Sequence, residues 1–202
     1  MSAAGKVCTG FSMPYVAKYS NVGSVVTYSG VMQLARGVSV SLSLNTTDDN
    51  VFHADNVCAE AAAAICTGGT ATLTVDGLLA EAEKFILGLP ETTKVPAGGA
   101  QVDVSHYGDG MEIPYVGIGF VVRYQSGGVV TYAPVVLAKA RFQQPGLDAA
   151  TQEESIDWQT QELTATLMRD DTASHDWKLV GADQATEEAA VEVLKAILGG
   201  AA

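Results

Sequence analysis

Strict two-residue alternation in several separate stretches constrains this chain more than any other feature. In 37–44, GVSVSLSL, Val38, Val40, Leu42 and Leu44 fall on one side and Ser39, Ser41 and Ser43 on the other. That is the period of a strand with one buried face, and a helix cannot present it. The stretch 70–76, TATLTVD, repeats the pattern, with Ala71, Leu73 and Val75 set against Thr70, Thr72 and Thr74. In 160–170 the inward set is Leu163, Ala165 and Leu167. Two longer runs, 113–124 and 127–142, are separated by QSGG and predict a β-hairpin around the glycines. In the first of them Val116, Ile118, Phe120, Val122 and Tyr124 share a face opposite Gly117, Gly119 and Arg123. Pro114 and Pro134 cannot donate to a ladder, which places those points at a sheet margin.

Two segments switch to helical spacing. In 76–90, Leu78, Leu79, Ala82, Phe85, Ile86 and Leu89 form one stripe, with Asp76 as the expected cap and Gly88 and Pro90 as the stop. In 186–200 the stripe is Ala190, Val191, Leu194, Ile197 and Leu198, with Thr186 as cap, Glu187 and Glu188 at the positive end of the dipole, and Gly199 at the end. Segment 56–69 contains four consecutive alanines, but it lies between strand signals and runs into Gly68–Gly69, read here as a turn; it is expected to be strand. Segment 91–112 holds no sustained period and is expected to be a long surface loop. The sum is a mainly β (α+β) fold: an antiparallel sandwich or barrel-like domain over 1–202, with one packed amphipathic helix and a C-terminal helical arm over 183–202.

Charge narrows the function classes. The formal net charge is −12, which repels polyanions and lacks the basic footprint that nucleic-acid binding requires. It does not exclude a protein that stays near DNA without holding it. Cys8, Cys58 and Cys66 form no CxxC pair, so a reduced compartment is expected. The opening MSAAGKVCTGFSMPYV lacks a signal-peptide core, and no apolar run approaches a membrane span, so a cytoplasmic start and no membrane are expected.

The chemistry-bearing candidates are weak. In TTDDNVFHADN, 46–56, a strand beginning at Asp49 would put His53 and Asp55 on one face, within reach of one ion. A third ligand would have to come from His106 with Asp109 or from His175 with Asp176, and no spaced motif links them. An Asp/Asn-rich turn entering a strand is the favoured reading. Glu153, Glu154 and Asp157 read as a solvated acidic loop rather than a glycosidase pair. Trp158 and Trp177 read as packing residues rather than sugar platforms. GxSxG, Walker and GxGxxG motifs are missing, and GIG at 117–119 lies inside a strand. No catalytic, metal or cofactor residue is assigned, and the residues alone predict a soluble β-rich interaction or structural protein.

Six segments, taken together, resemble the major tail (tail tube) proteins of long-tailed siphophages and related prophages. They are PYVAKY (14–19), LARGVSVSL (34–42), FHADNV (52–57), TGGTATLTVDGLLAEAE (67–83), PYVGIGFVVRYQSGG (114–128) and DWQTQELTATLMRDDTASHDWK (157–178). They occur in family order across nearly the whole chain, and the last is the most specific. The alanine run at 61–64 and the segment 91–112 depart from the pattern. The resemblance implies a non-enzymatic virion protein, assembled in the bacterial host cytoplasm and resident in the virion tail. It implies a β-sandwich flanked by a helix, hexameric rings whose inner sheets join into one barrel, and rings stacked into a tube for the genome. The implied partners are further copies of the chain, the tape measure and tail terminator proteins, and double-stranded DNA that passes without specific binding. A related inner tube of a contractile injection or secretion machine is the alternative. On this reading Ser39, Ser41, Ser43, Thr70, Thr72 and Thr74 face the lumen. Asp48, Asp49, Asn50, Val51 and Phe52 belong to a strand-connecting loop that contacts the adjoining ring.

Overall fold

A computed structural model describes residues 5–48, 50–147, 149–151 and 158–200. The fold is mainly β with antiparallel pairing throughout and a C-terminal helix. In chain order the elements are β1 (Val7–Val22), β2 (Val25–Gln33), β3 (Gly37–Thr46), β4 (Asn50–Ala54), β5 (Val57–Ala62) and β6 (Cys66–Val75). Then follow α1 (Ala80–Leu87), β7 (Thr93–Ala97), β8 (Ala100–Val104), β9 (Val116–Ser126), β10 (Val129–Phe142), β11 (Gln161–Met168), β12 (Lys178–Val180) and α2 (Glu187–Ile197). The main sheet has the order β2-β1-β9-β10-β11-β6-β3, with β12 paired to β10; β4-β5 and β7-β8 are separate two-stranded sheets.

The expected strands in 37–44, 70–76, 113–124, 127–142 and 160–170 correspond to β3, β6, β9, β10 and β11. The Gly127–Gly128 turn has positive φ at both residues, as a two-residue hairpin requires. Segment 56–69 is strand in two pieces, β5 over Val57–Ala62 and the start of β6 from Cys66, with Asn56 in a turn and 63–65 between the strands. β1 and β2 carried no clean alternation, and β1 shows why. Its pairing with β9 shifts register between Cys8 and Gly10 and again between Ser12 and Tyr15, and Met13 sits at φ 52. Each irregularity resets which face the following residues occupy.

Several expectations need correction. Segment 91–112 is not one long loop: β7 and β8 pair around Gly98–Gly99, both at positive φ. Gly68 and Gly69 are not a turn but lie inside β6, pinched between neighbouring backbones. Asp76 does not cap α1. The helix begins after Leu79 without a side-chain cap, and Asp76 instead accepts hydrogen bonds from Arg36 N at 3.0 Å and from Arg36 Nε. That tie joins the start of β3 to the end of β6, and the Arg36 hydrogen bonds hold the Asp76 carboxyl below its usual range. The stop at Gly88 is as expected, in the left-handed region at φ 59.

The sheet curls until Gly37, at the start of β3, lies against the Phe11 ring of β1. Inside the curl Val16, Leu73, Val116, Ile118, Phe120, Leu137, Phe142, Leu163 and Leu167 are buried together, closed over by Ala82, Ile86 and Leu87 of α1. On the outer side α2 lays Ala190, Val191, Leu194 and Leu198 on Tyr15, Ala17, Val121 and Val136. The hydroxyl of Thr186 caps α2 by accepting from Ala189 N at 3.2 Å. Gly117 and Gly119 make this docking possible: a Cβ at Gly119 would lie 2.9 Å from Leu194, and one at Gly117 2.9 Å from Leu198. Because Leu194 is fully buried in this seam, Leu194→Ala is expected to cost about 3 kcal/mol, measured by urea unfolding of the monomer.

Candidate functional site: a hydroxyl-lined sheet face, its open edge and two projecting hairpins

The register brings the two sequence-predicted rows of hydroxyls side by side. Ser39 stands opposite Thr74, Ser41 opposite Thr72 and Ser43 opposite Thr70. The Ser39 hydroxyl donates to Thr74 Oγ1 at 3.0 Å. A third row extends the face on β11, where Thr164 stands opposite Thr72 and Thr166 opposite Thr70. Sequence reasoning missed Thr164 and Thr166, although the alternation that placed Leu163, Ala165 and Leu167 inside leaves these two outside. The three serines and Thr166 are exposed; Thr70, Thr72, Thr74 and Thr164 are half-buried. The patch carries no formal charge until its border, where Glu162 stands opposite Thr74 and Arg141 opposite Thr166. A strand surface of short hydroxyls exchanges hydrogen bonds with water and offers no fixed charge to grip or repel a polyanion.

This face ends at an open margin. Among the described residues β3 has one ladder partner, β6, so its other side offers unpaired backbone N–H and C=O groups. The sequence placed Val38, Val40, Leu42 and Leu44 inward, but only Val40 and Leu42 pack on the core. Val38 is 54% exposed and Leu44 40% exposed. A register shift between Gly37 and Ser39 turns Val38 out, and every residue from Ser43 to Thr46 is exposed. At the far end of the sheet β2 is likewise paired on one side only, to β1. Among the described residues the main sheet therefore has two open edges, one of them beside the hydroxyl face.

The acidic segment 46–56 is not a simple connecting loop. β4 and β5 pair around Asp55–Asn56, whose φ values of 51 and 64 are those of a tight hairpin turn. Of the five residues expected to form an assembly contact, Asp48 is exposed, Asp49 lies outside the described residues, and Asn50 opens β4. Val51 is exposed, and Phe52 is exposed by 65%, an unusual position for a phenylalanine. His53 lies opposite Cys58 on this hairpin, while His106 hydrogen-bonds Thr93 Oγ1 at 2.6 Å beside the other hairpin. Among the described residues no three His, Cys, Asp or Glu side chains gather around a common point. Glu153, Glu154 and Asp157 lie outside the described residues; Trp158 is exposed, and the Trp177 ring carries the Lys178 ammonium 4.8 Å from its centroid.

The strongest electrostatic perturbations lie away from these surfaces. Burial, reinforced by its hydrogen bond to Asp171, pushes the Tyr19 phenol up to about 12, and burial raises Tyr28 further. Lys139 Nζ and Tyr19 Oη both donate to Asp171 at 2.7 Å, which lowers its carboxyl. Asp170 is buried and accepts from Thr172 N and Oγ1. These bonds tie the polar turn 170–177 to β1 and β10, and every acceptor in them is engaged, so the cluster serves as a structural tie. A scan against protein-family models and a search of curated proteins find no match to this chain.

Proposed function

We propose that this chain is a self-assembling structural subunit of tail tube type, whose copies join edge to edge into rings and whose rings stack into a conduit for DNA. The observation that carries this reading is the continuous uncharged hydroxyl face ending at an unpaired strand edge. An edge of ten residues with outward Val38 and Leu44 is a liability for a lone domain, which guards such edges with charge or proline. Joined to the open edge of a neighbouring copy, it becomes ordinary sheet, by strand addition repeated around a closed rotation. The hydroxyl rows of successive copies then form one lining, and an acidic subunit surrounds it without attracting phosphate. Function on this reading comes from geometry and needs no reactive group. Further copies, a tape measure and a tail terminator are the partners it calls for, and the virion tail is the place.

Negative-stain electron microscopy of the purified full chain tests this, at high concentration and again with nucleating tail components added. Rings or hollow rods are the expected result. A chain that stays a single subunit under both conditions overturns the proposal.

A further inference from the structure

The hairpin β7-β8 belongs to neither the main sheet nor the core, and every residue of both strands is exposed. Its register gives it two unlike faces. Val95 pairs with Val102, Ala97 with Ala100 and Thr93 with Val104, so one face is apolar; Lys94 with Asp103 and Pro96 with Gln101 form the other. A two-stranded hairpin is marginal in water by itself, and an uncovered valine face adds no stability until something lies on it. The hairpin β4-β5 has the matching defect. Phe52 and Ala54 alternate onto one face, where Ala54 pairs with Val57 and Phe52 with Glu60. Phe52 and Val57 are more than half exposed.

We propose that these hairpins are the two halves of one contact between copies: the face of Val95, Val102 and Val104 on one subunit packs on Phe52, Ala54 and Val57 of another. This rests on the self-assembly reading and names the surface that receives Phe52. Charge selects the pairing. The β4-β5 hairpin carries Asp55 and Glu60, with Asp48 just ahead of it in the chain, so two such arms placed face to face repel each other. The β7-β8 strands balance one lysine against one aspartate, a neutral surface on a chain of net charge −12. Size selects the occupant. The apolar face is on the order of 300 Å² against roughly 800 Å² per partner for a standard interface, too little to hold an independent protein. It suffices where edge pairing already supplies the neighbour at high effective concentration. One arm giving and the other receiving makes the contact heterologous, which propagates instead of closing into a dimer.

The test uses the full chain with Cys8→Ser, Cys58→Ser and Cys66→Ser. Phe52→Cys chains and Val102→Cys chains are mixed, assembled and mildly oxidised. A disulfide between 52 and 102 is expected, at least tenfold more abundant than any dimer from either variant alone. Separately, Val95→Asp with Val102→Asp is expected to keep the monomer's melting curve and to raise the protein concentration needed for rods at least tenfold. Rods without the 52–102 link, a dominant 102–102 link, or an unchanged threshold for the Asp variant would each overturn the contact and leave self-assembly standing. An unsubstituted chain that forms no rods with its nucleating components removes both proposals.

Discussion

Gly69→Val is expected to destabilise the monomer by at least about 4 kcal/mol, lowering Tm by roughly 10 °C, and to abolish assembly. A Cβ at Gly69 would stand 2.2 Å from the carbonyl oxygen of Ser43 and 3.1 Å from the Cα of Leu44. Both obstacles are backbone, so no rotamer change relieves them, and β3 must move away from β6. The neighbouring Gly68 is squeezed from the other side, where its Cβ would meet the Leu167 carbonyl oxygen of β11 at 2.7 Å. Its φ of 148 adds backbone strain to any substitution. The two glycines thus let β6 pass between β3 and β11 at close range. Displacing β3 separates Ser39, Ser41 and Ser43 from the threonine rows and disrupts the edge on which the proposed ring formation depends. Thermal unfolding with electron microscopy of the same sample checks both effects. A variant that melts like the parent and still forms rods refutes this role for β3.

How far the sequence anticipates this molecule depends on how regular each ladder is. β3, β6 and β11 keep a two-residue period, and the buried sets of β6 and β11 and the hydroxyl rows follow from it directly. β1 breaks the period with two register shifts and a left-handed Met13, so its strand character is hidden from any alternation count. The β7-β8 hairpin is masked by Pro96 and by glycines at its tip, and neither of its faces meets a core that would enforce a strong pattern. Gly68–Gly69 shows the same limit from the opposite side. A glycine pair can mark a chain reversal or a close passage of backbones, and only the neighbours decide. The Asp76–Arg36 tie is likewise tertiary, since forty residues separate the partners. The candidate surface was half legible. The serine and threonine rows could be named from spacing alone, but their adjacency, and the third row that widens them, required the register of three strands.

Lysine in place of the hydroxyls should leave assembly intact and slow DNA passage severely. Ser41 and Thr72 sit opposite each other at the middle of the hydroxyl face, and the β3 position is exposed, so Ser41→Lys with Thr72→Lys adds cations without entering the core. In the proposed hexameric ring each pair becomes twelve positive charges, repeated at every ring along the proposed tube. DNA presents one phosphate per roughly 1.7 Å of axis, so each new ammonium finds a partner wherever the duplex stops, and each pairing releases condensed counterions. The expected result is normal rods in the microscope and genome release slowed by at least tenfold at low salt. Because every neutralised phosphate contributes to the salt slope, raising ionic strength from about 50 to 200 mM should restore most of the rate. A tube merely narrowed or distorted by the longer side chains would not recover in that way. The neutral variant Ser41→Gln with Thr72→Gln, similar in length and without charge, is expected to release DNA at the parental rate. If the lysine variant also releases at that rate, this face does not line the conduit, and the hydroxyl rows must point away from the DNA.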